Sequence, residues 1–246
     1  LILSVFASAI GSKYFNPKPP DSNIDILKSL VDTIPKMDEL ALCSNDTELL
    51  KLIKPPVLEL LRWVLLSNRS QMISLKGKMQ FSIFGSSNQF LSLISTPAAE
   101  KKFKVLKEKY GSMFLFHGSA AQNWHSILRN GLKNASGTEM MAHGSAYGSG
   151  IYFAHESSVS QGYAPPCLNA YAKSKLGTSL QILALCEIAQ VPELLHHGWA
   201  HTLTNEEACI VRFLLVNGSY NTDVKKSPPK NIPKLKDVLN MQADKV

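Results

Sequence analysis

Apolar positions between residues 24 and 66 recur at helical spacing. Ile24, Leu27, Leu30, Val31 and Ile34 share one face of a helix that Asp21 or Ser22 would cap and Pro35 would stop. A shorter helical pattern covers Met37 to Cys43. A third starts at Asp46 or Thr47, runs through Leu49, Leu50 and Ile53, and ends at Pro55-Pro56. Val57 to Leu66 is apolar nearly all round, which predicts a buried helix. Ahead of these, residues 1–20 end in Asn16-Pro17-Lys18-Pro19-Pro20, an extended entry or linker.

From Gln71 to Ser95 the period changes. Ile73, Leu75, Met79, Phe81 and Ile83 approach alternation, and Gly77 and Gly85 break it, so loop with short strands is expected. Phe90 to Ile94 reads as a strand, and Pro97 opens a helix over Ala98 to Tyr110 with Phe103, Leu106 and Tyr110 along one side. The run Met113-Phe114-Leu115-Phe116 then leads into His117-Gly118-Ser119, and Asn123 to Leu132 reads as a short helix stopped by Gly131. A glycine-rich loop, Gly144 to Gly150, precedes a second strand, Ile151-Tyr152-Phe153-Ala154. Leu168 to Gly177 is irregular, Ser179 to Ile188 is a long buried strand, and His196-His197-Gly198 is a turn. Thr202 onward is weakly extended, and Cys209 to Val216 is a buried strand ended by Asn217-Gly218. Helices first and strands afterwards predict an α+β fold rather than a wound parallel sheet.

Composition adds bounds. A chain of 246 residues with 45% hydrophobic content builds one large domain or a domain plus a smaller one. The net charge of +7 favours anionic ligands, nucleotides among them. The basic cluster from Lys225 to Lys236 reads as a solvated tail, and no aromatic–basic interleaving supports nucleic-acid binding. Cys43, Cys167, Cys186 and Cys209 form no C-x-x-C pair and read as reduced, buried thiols of an intracellular protein. The Asn-x-Ser/Thr triplets at Asn45, Asn68, Asn134 and Asn217 would matter only in a secreted chain. Leu1 to Ile10 is too short to span a bilayer, and a chain beginning with Leu reads as part of something longer.

The chemistry concentrates between Met113 and Tyr163. Gly144, Gly148 and Gly150 match no P-loop, since no Gly-Lys-Ser/Thr follows, and no dinucleotide fingerprint, since a strand comes next. Serine-protease order, paired carboxylates and His-Glu-x-x-His are absent from the sequence. Taken alone, His117 reads as a structural histidine, and Tyr152 and Tyr163 as core residues or as rings that stack on a flat ligand.

Together, His117-Gly118-Ser119, Ile127 to Leu132, Gly148 to Ala154, and Ser160 with Tyr163 resemble the catalytic domain of the poly(ADP-ribose) polymerase family, the diphtheria-toxin-like ADP-ribosyltransferases. The resemblance runs from about Ser95 to Val216. The phrases Leu60 to Val64, Ser67 to Ser70, Asn123 to Gly131 and Ala184 to Glu187 look most like its mono-ADP-ribosylating branch. It implies a split antiparallel β-sheet over residues 95–222, with an N-terminal helical region, 1–94, and a basic tail, 223–246.

The resemblance also implies roles. His117 matches the histidine that hydrogen-bonds the adenosine ribose of NAD, and Gly118 the glycine whose backbone clamps the nicotinamide amide. Ser160 matches the serine that joins this clamp, and Tyr163 the tyrosine stacked on the nicotinamide ring. Tyr152 matches the second residue of the family's His-Tyr-Glu triad, while Ser119, Gly150 and Phe153 line the same groove. The third triad position departs from the pattern. The family's glutamate lies about a dozen residues before the final strand, here Arg212 to Leu215, and counting back lands on Ala200. Glu206 and Glu207 lie too close to that strand unless a loop is shortened, and the lysine often found before the clamp serine is Val159.

The implied activity is NAD-dependent mono-ADP-ribosylation, with NAD as co-substrate, no metal, and protein acceptors among which the chain itself counts. The rival is an NAD-binding or peptide-binding module that has lost the chemistry; Ala200 favours it, while His117, Tyr152, Ser160 and Tyr163 favour activity.

Overall fold

A computed structural model describes residues 1–13, 15, 23–68, 71–81, 85–92, 97–138, 146–217, 227–233, 237–238 and 240. The proline-rich entry at 16–20, the caps expected at Asp21 or Ser22, Gly144 and most of the basic tail lie outside the described residues.

Five helices come first: α1 (Ile2–Ala9), α2 (Ile24–Thr33), α3 (Met37–Ala41), α4 (Asp46–Leu52) and α5 (Pro55–Leu66). The Asn23 side chain caps α2, accepting from the backbone N–H groups of Asp25 and Ile26 at 2.9 and 3.3 Å. At α4 the capping is reciprocal. Asn45 Oδ1 accepts from Glu48 N–H at 3.0 Å, and the Glu48 carboxylate accepts from Ser44 N–H at 2.7 Å. Phe6, Leu27, Val31, Ile34, Leu60 and Val64 meet in one apolar cluster. The expectation of an all-round buried α5 is corrected. Val57, Leu58, Leu60 and Val64 are buried, but Leu65 and Leu66 face solvent, because α5 packs on its neighbours along one face only. The apolar run at the start, read only as too short for a membrane, is the helix α1. Its Val5 packs into the core beneath the sheet and its Phe6 into the helical cluster. Among the described residues no helix is long and apolar enough to cross a membrane.

The sheet follows: β1 (Met72–Ser74), β2 (Asn88–Ser92), α6 (Pro97–Tyr110), β3 (Ser112–Gly118), α7 (Trp124–Asn130), β4 (Ile151–Ala154), α8 (Ser157–Gln161), then β5 to β10. The latter are β5 (Cys167–Leu168), β6 (Ser179–Leu180), β7 (Ile182–Ala189), β8 (Leu194–His197), β9 (Ala200–Leu203) and β10 (Cys209–Val216). The eight-stranded order is β1-β2-β10-β7-β3-β4-β9-β8, and β5 pairs β6 in a separate ribbon. Every pairing is antiparallel. The fold is α+β, as the pattern predicts. The sheet takes β1 and β2 from the first 94 residues, because β10 needs a second partner for its outer backbone groups.

All eight residues of β7 are buried. Ile182, Ala184, Cys186 and Ile188 enter the cluster containing Phe103 and Trp124, while Leu183 and Leu185 enter the one containing Phe116 and Phe213. This explains the unbroken apolar run, since a strand covered on both faces has no solvent side to alternate with. Its one charge, Glu187, accepts from Lys107 Nζ at 2.5 Å, Ser112 Oγ at 2.9 Å and Arg212 Nε at 2.9 Å. Burial pushes the Glu187 carboxyl up, but those donors outweigh it and hold the pKa below the usual value.

Two expectations change towards the C-terminal half. His196 and His197 lie in strand β8, not in a turn; the turn is Gly198-Trp199, with Gly198 at φ +73°. Cys167 is exposed, so the four thiols are not uniformly buried; none is in a disulfide.

The helical region docks on the sheet through α7. His125 is buried against Phe6, Phe15 and Trp63, with ring centroids 5.4, 6.2 and 6.3 Å away. Burial, and then the charge of Arg129, lower its pKa to about 4. An unfolded chain protonates near the ordinary value of 6.5, while the folded one resists to about 4. Stability is therefore complete above pH 6.5 and falls as the pH drops through this window, with a loss of about 2 kcal/mol by pH 5 from this residue. Urea melts at pH 7 and pH 5 check this; in His125→Gln the difference between the two pH values should shrink by that amount.

Candidate active site

The site begins where β3 and β4 part. They share one register pair, Phe116↔Ala154, and then diverge. The His117 side chain fills the gap: its Nδ1 lies 2.9 Å from the Tyr152 carbonyl oxygen. A carbonyl only accepts, so Nδ1–H donates and Nε2 is left as an acceptor. Burial lowers the His117 pKa and the bond to Tyr152 opposes it, with burial the stronger, so the ring is neutral at pH 7. The rings of Phe153 and Trp124 stand 5.7 and 6.3 Å from it. Trp124 is itself anchored, its Nε1–H donating to the Ser119 carbonyl at 3.0 Å.

Gly118 has a steric reason to be glycine. A Cβ there would lie 1.7 Å from the Ser160 carbonyl oxygen. Helix α8 is thus pressed directly onto the β3 backbone. The Ser160 hydroxyl strengthens that contact, donating to the Phe116 carbonyl at 2.9 Å from a buried position. The opposite wall carries Gly150, at φ +153°, where a Cβ would crowd the Leu203 backbone at 3.1 Å. Tyr152 ties this loop down: its hydroxyl donates to the Gly148 carbonyl at 2.8 Å and accepts from Tyr147 N–H at 2.9 Å.

These elements enclose a cavity of about 190 Å³. His117, Gly118, Ser119, Gly150, Tyr152, Phe153, Ser160, Tyr163 and Ala200 all line it. Every candidate singled out in the sequence is therefore in one place, with differences of detail. Phe153 is 2% exposed and supports His117 from within the core, whereas Tyr163 is 39% exposed at the mouth. Ser119 turns its carbonyl and hydroxyl towards Trp124 and Asn123, the latter bond at 2.9 Å.

Ala200 is buried on β9, opposite Ala154 on one side and His197 on the other. The two glutamates considered as substitutes are elsewhere. Glu206 accepts from Lys133 Nζ at 2.6 Å and Asn134 N–H at 2.8 Å. Glu207 accepts from Lys102 Nζ at 2.5 Å. Neither lines the cavity, whose described lining holds no carboxylate and one charged side chain, Lys133.

Among the lining residues to which the sequence analysis gave no role are Lys133, Tyr147 and Trp199. Tyr147 stood inside the glycine-rich phrase without a role of its own. Trp199 became visible only once Gly198-Trp199 proved to be the turn of a β8–β9 hairpin. Among the described residues no group of three or more His, Cys, Asp or Glu is arranged to hold a metal ion.

Comparison with known proteins fits this geometry. A family model for the poly(ADP-ribose) polymerase catalytic domain matches residues 89–225. The chain is 36% identical over 230 residues to the Mus musculus protein named "Protein mono-ADP-ribosyltransferase PARP8", covering 82% of this chain and 27% of that protein. It is 35% identical to the Homo sapiens protein of the same name, with the same coverage. To the Homo sapiens "Poly [ADP-ribose] polymerase 2" it is 33% identical over 105 residues, 43% of this chain and 17% of that protein. The chain thus spans little more than a quarter of the length of the two PARP8 relatives. It belongs to the poly(ADP-ribose) polymerase catalytic domain family.

Proposed function

We propose that this chain is an NAD-dependent ADP-ribosyltransferase that places a single ADP-ribose on a protein side chain and releases nicotinamide. One observation supports the reading: His117, Gly118, Tyr152, Ser160, Tyr163 and the methyl of Ala200 line one cavity. The relatives' names, "Protein mono-ADP-ribosyltransferase PARP8", support it. The reduced thiols support an intracellular setting for it.

The fit to NAD is chemical. The pocket has room for one small aromatic ring, with an aromatic side chain at its mouth and a backbone that only glycine lets close. The Gly118 backbone would take the carboxamide, and the Ser160 hydroxyl would turn its proton from the Phe116 carbonyl towards it. Neutral His117 would accept a ribose hydroxyl proton at Nε2. So held, the bond from the ribose anomeric carbon to nicotinamide breaks, nicotinamide leaves with the electron pair, and the acceptor attacks the oxocarbenium-like centre.

Chain elongation needs a base to activate a weakly nucleophilic ribose hydroxyl. Ala200 offers none, and Glu206 and Glu207 lie outside the cavity lining, each paired with a lysine. The second reading, an NAD-binding module without transfer, also rests on Ala200. Mass spectrometry after incubation with labelled NAD separates the two: modified protein supports the transferase, and binding without modification supports the module.

Three outcomes are expected. The product is one ADP-ribose per acceptor site, seen as a discrete gel band; a high-molecular-weight ladder digestible to repeating units would overturn this. Gly118→Ala cannot keep the Ser160 contact, and overpacking of this kind costs on the order of 1–3 kcal/mol. The variant should melt lower and should show no thermal shift with benzamide. Tyr163→Ala leaves the fold intact, since the ring is half exposed, and loses about 1 kcal/mol of stacking. Benzamide titration by calorimetry should show several-fold weaker binding.

A further inference from the structure

We infer that Trp199 and Tyr147, held by His197, form an aromatic wall that decides whether ADP-ribose is handed to a polypeptide or to water. This rests on the transferase reading above. The wall lies where the family pattern would have a carboxylate. Side chains at directly opposed positions of neighbouring strands share a face. Ala154, Ala200 and His197 are opposed across β4, β9 and β8, so two methyl groups are followed by an imidazole along one row of the wall.

That imidazole is fixed. His197 Nε2 lies 2.9 Å from Thr202 Oγ1. The Tyr147 ring lies flat on it, with centroids 4.7 Å apart and planes 17° from parallel. Trp199 closes the corner, its ring 5.5 Å from Tyr147 at 75°. Tyr147 and Trp199 both line the cavity, and Trp199 is 50% exposed, so the indole is shared between cavity and solvent. Strand β8 is the last in the sheet order and ends in this corner, so the wall is reached from outside the sheet.

The consequence is chemical. Once the bond to nicotinamide breaks, with its electron pair leaving on nicotinamide, the anomeric carbon takes either nucleophile. It bonds to an acceptor heteroatom or to a water oxygen, and the nucleophile's proton passes to bulk solvent. The described lining has no carboxylate to activate water. An ordered water also needs several polar partners, which ring faces and methyl groups do not supply. A polypeptide crossing Trp199 instead gains apolar contact and brings its own nucleophile. Trp199 and Tyr147 therefore touch the acceptor, and His197 is a positioning residue that acts through Tyr147.

The experiment measures the partition. The chain is incubated with NAD labelled in the adenylate half, and free ADP-ribose and protein-bound label are counted alongside total nicotinamide release. Trp199→Ala should raise the ratio of free to protein-bound ADP-ribose several-fold, and Trp199→Phe should restore most of the parent ratio. His197→Ala should move the ratio the same way, and His197→Phe, which keeps a stacking ring, should not. Melting temperatures report whether each variant is folded. A parent that releases nicotinamide and modifies protein, with a ratio unmoved in Trp199→Ala, overturns this inference alone. A parent that yields neither product overturns the transferase reading and this inference with it.

Discussion

Everything at the site depends on β3 and β4 meeting at one pair and then parting. A sheet that zipped fully would pair His117 and Gly118 with β4 and leave no cleft. The parting strands expose backbone groups that must be satisfied. The His117 imidazole supplies one such bond, to the Tyr152 carbonyl, and the Ser160 hydroxyl another, to Phe116. The split is thus closed by side chains that also line the cavity. His117 holds the two halves of the sheet and, by the same bond, is locked in the tautomer that presents Nε2 as an acceptor.

The parting is tolerable because what lies behind it does not yield. β7 pairs along its length with β3 on one side and β10 on the other. Its buried faces join two apolar clusters, and its one carboxylate is tied to α6 and β10 through Lys107 and Arg212. The helical region braces the same ground from another direction. α1 and α5 pack about His125 on α7, and the neighbouring Trp124 reaches back to Ser119 beside the cavity. Helical packing and site geometry are therefore coupled through two consecutive residues.

Ala200 sets the chemical character of what remains. It is buried on β9 with aligned neighbours on both sides, so its methyl is a defined part of the wall. The described lining then consists of a neutral histidine, backbone, small residues, aromatic rings and one lysine. Such a surface binds, orients and excludes. With no carboxylate it offers no such base to a weak nucleophile.

Much of this is written in the residue pattern. The helices at 24–33 and 46–52 and the strands at 112–118, 182–189 and 209–216 follow from local periodicity and stops, because each buries a face whose spacing shows along the chain. The nine candidates that line the cavity are legible for a different reason: glycines at close approaches, a histidine and two tyrosines occur at separations tied to the family's motif. Local sequence does not reveal elements whose stability comes from distant partners. β8 and β9 are short, and they exist because β4 needs a neighbour. The apolar start is a helix because a sheet core and a helical cluster bury its two sides. Which glutamate might replace the missing one was likewise a spatial question. Glu206 and Glu207 are adjacent to each other in sequence but are claimed by lysines from two different segments, and no local pattern encodes those pairings. The candidate residues of the cavity were singled out along the chain; its third wall, from Ala200 to the aromatic corner at Trp199, was decided only by which strands came to lie side by side.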